Sequence, residues 1–147
     1  MIYSITLQGV KPFSINKAHY RNGVRTRENR AWAHEVHKQI ASDPAFSNFK
    51  KVAKKSNFFH VILSFNIPHK NFYTKKGKIS RLTSDLTNVE KGLVDVIFDK
   101  RFHAREYDGV KYITLECDDT LVTKLVSEKR AVQSDIYTID VRIQAFN

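Results

Sequence analysis

Phe59, Val61, Leu63 and Phe65 alternate without interruption, and Pro68 closes the run. A period of two puts all four on one face, so residues 57–67 read as a strand whose apolar side must be covered. Tyr137, Ile139, Val141 and Ile143 repeat the pattern over 136–146, and Tyr3, Ile5 and Leu7 over 2–8. Residues Tyr112–Cys117 and 120–127 read as further strands, with Glu128-Lys129-Arg130 in the connection to the last one. The cover must come from helices. Trp32, Val36 and Ile40 form one stripe of a helix over 26–42, with Thr26 as N-cap and Asp43-Pro44 as its stop. Val89, Leu93, Val96 and Ile97 mark a second helix over 88–99, with Thr87 and Glu90 spaced as a capping box. The polar stretch Gly9 to Arg27 reads as a loop, 45–56 as a solvated lysine-rich connector, and 69–82 as a flexible basic loop. There is no repeat, low-complexity tract or linker. The expectation is a single α+β domain over 1–147, a small mixed sheet with two main helices.

Charge narrows the partner. The 147 residues carry 25 Lys+Arg against 15 Asp+Glu, a formal charge of +10. Such an excess suits a polyanion. No long basic amphipathic helix is visible, which favours nucleic acid over a membrane surface; a soluble basic protein with no such partner is the plainer alternative. No signal peptide or membrane-spanning run is seen, and the single Cys117 fits a reducing compartment, so a cytoplasmic protein is expected. His34 and His37 are three apart, not the four of a zinc-protease helix, and read as a surface pair opposite Trp32. Cys117 reads as a small buried hydrophobe, and none of the 5 Gly falls in a phosphate-cradle pattern.

Acids inside a basic surface are the chemical signal. Asp85 precedes the second helix, Lys91 lies one to two turns inside it, and Asp118-Asp119 stand between two expected strands. Carboxylates repel a phosphate backbone unless a divalent cation lies between them. Mg²⁺ takes oxygen ligands, usually one or two carboxylates with phosphate and water. It can polarise a scissile phosphoryl group and orient an attacking water, and a lysine can stabilise the developing charge. The ordinary alternative is a loop aspartate, two solvated turn acids, and Lys91 paired with Asp95 four residues on. Spacing alone leaves both open.

The run Asp85-Leu-Thr-Asn88-Val-Glu-Lys91-Gly-Leu-Val-Asp95, followed by Asp118-Asp119-Thr-Leu-Val, resembles the RusA family of Holliday-junction resolvases. That family carries Asp-x-Asp-Asn-x-x-Lys-x-x-x-Asp at a helix start and a later Asp-Asp-x-x-Val pair. Tyr3 to Leu7, Pro12, Ser14, Asn16, Tyr20-Arg21 and Arg25-Thr26 agree with its N-terminal part, so the resemblance runs from residue 3 to about 146. It implies a homodimeric, Mg²⁺-dependent endonuclease, bacterial or phage-encoded, with Mn²⁺ as a possible substitute. Such an enzyme cuts strands of like polarity at four-way DNA junctions during recombination and repair. Carried over by position, Asp85, Lys91 and Asp119 are the catalytic residues. Asp85, Asp119 and Asp118 are the metal ligands, Asn88 and Thr87 are supporting, and Asp95 is structural.

Two departures stand out. Thr87 occupies the place of the motif's second aspartate, a hydroxyl where a carboxylate is expected. This motivates an alternative: a junction-binding protein of the same fold with weakened or lost catalysis. The interval from Asp85 to Asp119 is also longer than the family's, and an extra hairpin is expected near 99–116. Its basic and aromatic residues suit either DNA contact or solvation. Arg21, Arg25, Arg27, Lys75, Lys76, Lys78 and Arg81 form the expected DNA-binding track, and a solubilising surface is the alternative. Tyr20, Phe72 and Tyr73 are candidates for stacking on unpaired bases, with ordinary packing equally open.

Overall fold

The sheet is built around β2 (Phe58–Pro68). A computed structural model describes residues 1–14, 26–99, 106–107, 110–111 and 113–147. β2 pairs antiparallel with β6 (Thr138–Phe146), which pairs antiparallel with β1 (Ile2–Gln8). On its other side β2 pairs parallel with β5 (Val122–Val132), giving the order β1-β6-β2-β5. The register joins Leu63 to Val141 and Ser127, so the buried residues of the strands share one face. Tyr3, Leu7, Phe59, Val61, Leu63, Phe65, Ile139, Val141 and Ile143 are buried there. The expected mixed sheet in an α+β domain is what the chain forms.

Among the described residues three helices of ten or more residues cover that face: α1 (Arg27–Ala41), α2 (Pro44–Ala53) and α4 (Leu86–Phe98). Thr26 caps α1 by accepting from the Asn29 N–H at 3.2 Å, as its position suggested. α2 corrects the expected connector over 45–56. Asp43-Pro44 does end α1, but it also starts α2. Asp43 accepts from the Ala45 N–H at 3.1 Å, and Pro44 sits where its missing N–H costs nothing. Phe46, Phe49 and Ala53 are buried, and Tyr3 packs on both rings while donating its hydroxyl to Asp43 at 2.9 Å. Burial and that bond push the Tyr3 hydroxyl pKa well above its ordinary value.

Other expectations also change. Glu128-Lys129-Arg130 lie within β5, not after it, because the parallel register with β2 runs on to Val132. Residues 113–117 join no sheet. Their N–H groups instead cover the end of α4, Leu115 donating to the Ile97 carbonyl at 2.9 Å and Cys117 to that of Phe98 at 3.2 Å. Glu116, between them, sits at φ 54. α4 begins one residue after Asp85, so Thr87 is a first-turn residue and not the cap of a Thr-x-x-Glu box. Glu90 turns to the sheet and accepts from the Ser127 hydroxyl. The extra hairpin is represented by β3 (Glu106–Tyr107) paired antiparallel with β4 (Val110–Lys111). The turn expected at Asp108-Gly109, and Tyr112, lie outside the described residues.

The basic segment 69–82 is largely a loop, as expected, but it is tied into an arm by hydrogen bonds. After the short α3 (His69–Phe72), Tyr73 bridges to Ile79, Thr74 donates to the Lys78 carbonyl at 2.7 Å, and Gly77 donates to that of Thr74. Gly77 makes the turn at φ 78, a conformation that favours glycine.

Candidate functional site at the ends of α4

The arm delivers its charge to the N-terminal end of α4. Lys75, Lys76, Lys78 and Arg81 are all exposed, and they line a shallow depression of about 560 Å³ together with Ile79 and Leu82. A single 3₁₀ turn, Arg81–Thr83, then leads through Ser84 into Asp85. Ser84 is held in the left-handed region at φ 65, which a β-carbon disfavours. The strain is clamped from β5. Lys129 donates from Nζ to the Ser84 carbonyl at 2.8 Å and to Thr83 Oγ1 at 3.0 Å. The position of Asp85 is therefore fixed by the sheet.

Asp85 is the N-cap residue of α4, yet its carboxylate makes no capping bond and is exposed. Thr87 and Lys91 are exposed one turn apart on the helix, and Asn88 is half-buried. Three of the motif positions thus leave polar groups facing solvent in the first two turns. α1 adds to the same end. The Phe13 ring lies 5.5 Å from that of Trp32, and the Phe13 carbonyl sits against Gly92, where an added β-carbon would meet it at 3.2 Å. Further along both helices, His37 Nε2 donates to the Val96 carbonyl at 2.9 Å. α1 and α4 therefore run in the same sense, and exposed Arg27 begins α1 toward the end that carries Asp85. Two helix N-termini add partial positive charge there.

Asp118 and Asp119 lie at the other end. Both are exposed; Asp118 caps a 3₁₀ turn by accepting from the Thr120 N–H at 2.9 Å. They follow Cys117, whose N–H is bound to the Phe98 carbonyl at the last residue of α4. Thirteen residues of helix separate that end from Asp85, roughly 20 Å at 1.5 Å per residue. The sheet gives a second ruler. Ser84 is bound by Lys129, while Asp119 precedes Val122 at the start of the same strand. From Val122 to Lys129 a strand climbs roughly 23 Å. Within one chain, Asp85 and Asp119 do not converge. Among the described residues no three His, Cys, Asp or Glu side chains cluster as a metal site. Asp85, Asp118 and Asp119 of a single chain thus do not fit one Mg²⁺ ion.

The loop bearing Asp118-Asp119 is pinned by Glu116, which pairs with Lys50 of α2 and with Lys54 just past its end, at 3.4 Å each. Burial pushes the Glu116 pKa up, but the two lysines outweigh it and hold the carboxyl below its usual range.

Several expected residues fall elsewhere. Arg21, Arg25 and Tyr20 lie outside the described residues. Phe72 is buried and serves packing, whereas Tyr73 is exposed. His37 is fully buried between α1 and α4 and His34 is half-buried, which corrects the surface pair. Cys117 is buried, as its pattern suggested. Sequence reasoning missed Lys129 and Leu82. Lys129 sat in a segment read as a connection. Leu82 is 92% exposed, an apolar side chain held out in a basic arm; its only signal was its place between Arg81 and Asp85. No described helix is long and apolar enough to cross a membrane. Comparison with protein-family models and with curated proteins finds no match for this chain.

Proposed function

We propose that this protein is a Mg²⁺-dependent, structure-selective endodeoxyribonuclease that resolves four-way DNA junctions in recombination and repair, as a homodimer in a bacterial or phage-infected cytoplasm. The observation that carries the reading is the N-terminal end of α4. There an uncommitted Asp85 and an exposed Lys91 stand at the foot of an ordered basic arm, with Arg27 toward the same end. Phosphates tracked by Lys75, Lys76, Lys78 and Arg81 are led toward Asp85. Mg²⁺, or Mn²⁺ in its place, supplies the positive charge that lets carboxylates and phosphate share a site. Lys91 is suited to stabilise charge on the reacting phosphate. Leu82 suits contact with bases left unstacked at a branch point.

A second reading keeps the junction and drops the chemistry. Thr87 favours it, because an exposed hydroxyl stands where the family motif has a carboxylate. Incubation of an end-labelled four-way junction with Mg²⁺ separates the two. The expected result is paired incision by the wild type, with Asp119→Asn binding the junction but not cutting it. Normal cutting by Asp119→Asn would remove that residue from the site. Binding without cutting by the wild type, with cutting gained in Thr87→Asp, would establish the second reading. Equal affinity for linear duplex at matched salt would sink both, since phosphate contacts alone contribute a salt slope of roughly −0.9 each on duplex.

A further inference from the structure

The separation of Asp85 from Asp119 has a structural counterpart in β5. Among the described residues the strand order leaves β5 bonded on one side only, so alternate residues along this eleven-residue strand present N–H and C=O groups at a free edge. Long free edges are normally blunted or covered. This one is apolar at its middle. Leu125 is 36% exposed and Val126 46%, and Val126 lies beside Ile62, itself 42% exposed. Lys124 and Glu128 flank Val126 two residues to either side. All three share the uncovered face of the sheet, since they pair with His60, Ile62 and Ser64. A strand paired antiparallel with its own copy about Val126 sets Val126 against Val126. It also sets each Lys124 against Glu128 of the partner subunit. Isologous pairing requires such self-complementarity, and opposite charges directly across a strand pair stabilise it.

We propose that two copies join antiparallel through β5 about a two-fold axis at Val126, and that this seam brings Asp119 of the partner subunit to the end of α4 that carries Asp85. The topology dictates the second half. Asp119 precedes the start of β5, and Ser84-Asp85 is bound near its far end by Lys129. Antiparallel pairing lays the start of one β5 beside the far end of the other, with both helix layers on the same side. Carboxylates that lie roughly 20 Å apart within a chain then approach between chains, twice per dimer. Packing of the two uncovered sheet faces would leave every one of them on the outer helix layers, still apart. The inference rests on the reading of Asp85 and Asp119 as one site, but its interface does not.

Charge reversal tests the seam. Sedimentation of the wild type should give a dimer. Lys124→Glu alone, or Glu128→Lys alone, should weaken self-association at least about tenfold, the equivalent of roughly 1.4 kcal/mol. An equimolar mixture of the two variants should restore the dimer, because each seam contact is then again between opposite charges. A monomeric wild type, or single variants that remain dimeric, would overturn the proposal.

The restored heterodimer then tests the shared site by Mn²⁺ binding, read by electron paramagnetic resonance, and by junction nicking. With Asp85→Asn on one protomer and Asp119→Asn on the other, one site stays whole: one bound Mn²⁺ per dimer and incision of one strand. With both substitutions on the same protomer, each site has lost one carboxylate, and neither Mn²⁺ nor incision should remain. Sites built within single chains predict the reverse for both arrangements. Failure of the wild type to cut junctions while the Mn²⁺ pattern holds would overturn the nuclease reading and leave the shared site standing.

Discussion

The two ends of α4 are built on opposite terms. At the C-terminal end the Ile97 and Phe98 carbonyls accept from Leu115 and Cys117, Thr114 donates to the Asp99 carbonyl at 2.8 Å, and Phe98 is fully buried edge-on to Phe59. At the N-terminal end Asp85 is exposed without a capping bond, Lys91 is exposed, and the approach through Ser84 is strained and clamped from the sheet. A helix end without a side-chain cap and approached through a costly conformation is a better candidate for chemistry than one whose groups are committed to packing. Asp118-Asp119 gain their position from the committed end and their exposure from the turn that follows it.

The sharpest way to break this comparison is to substitute one residue at each end. Asp85→Asn keeps a good capping residue and touches no bond, so its thermal midpoint should stay that of the wild type. Junction cleavage should fall roughly a hundredfold or more, the scale of losing a group that acts on developing charge. Phe98→Ala should do the opposite. Removing a fully buried ring costs about 3–5 kcal/mol of stability in urea unfolding, while protein that remains folded should lose far less cleavage than Asp85→Asn, because the main-chain bond from Cys117 to residue 98 that positions Asp118-Asp119 survives the substitution. If Asp85→Asn instead destabilises and cuts normally, the N-terminal end is only a helix cap.

Those expectations follow from what the sequence made legible. β1, β2 and β6 lie within two residues of their expected bounds, because their period of two matches burial on one face. β5 and α2 were obscured for the same reason as each other: charge. The lysines at 50, 51, 54 and 55 hid the short stripe of Phe46, Phe49 and Ala53, and the Lys50 side chain, paired with Glu116, is only 19% exposed. In β5, Glu128-Lys129-Arg130 suggested a connection, although an edge strand has little apolar face to show. The motif residues were all visible as residue types. Their distance was not, because proximity along a motif says nothing of which end of a helix a returning loop meets.

The Glu116 pair offers a subtler probe of the committed end. Its carboxyl is held below its usual range by Lys50 and Lys54, against the upward push of burial. A depressed folded-state value contributes stability that is present above the unfolded pKa, near 4.3, and is lost as pH falls through the folded one. Thermal midpoints measured from pH 6 downward should therefore drop less steeply for Glu116→Gln than for the wild type, starting from a lower value at pH 6. Parallel curves would show that the loop bearing Asp118-Asp119 does not depend on this pair.

The smallest effect concerns the odd residue at the available end. Thr87 and Lys91 stand four apart and exposed, so Thr87→Asp places an acid in the first turn of α4, one turn before a lysine. The helix dipole should favour it by about 0.3–1 kcal/mol and the new pair by about 0.2–0.5. The thermal midpoint should rise slightly at low salt, and the gain should shrink as salt screens it. The same variant carries a functional question that stability cannot answer. A stabilised protein whose cleavage is unchanged would mean that the available end works without a carboxylate at 87. A stabilised protein that cuts faster would mean that the threonine holds this end below its capacity. A destabilised one would require that other carboxylates already crowd the position, and the exposed Asp85 is the nearest in the chain.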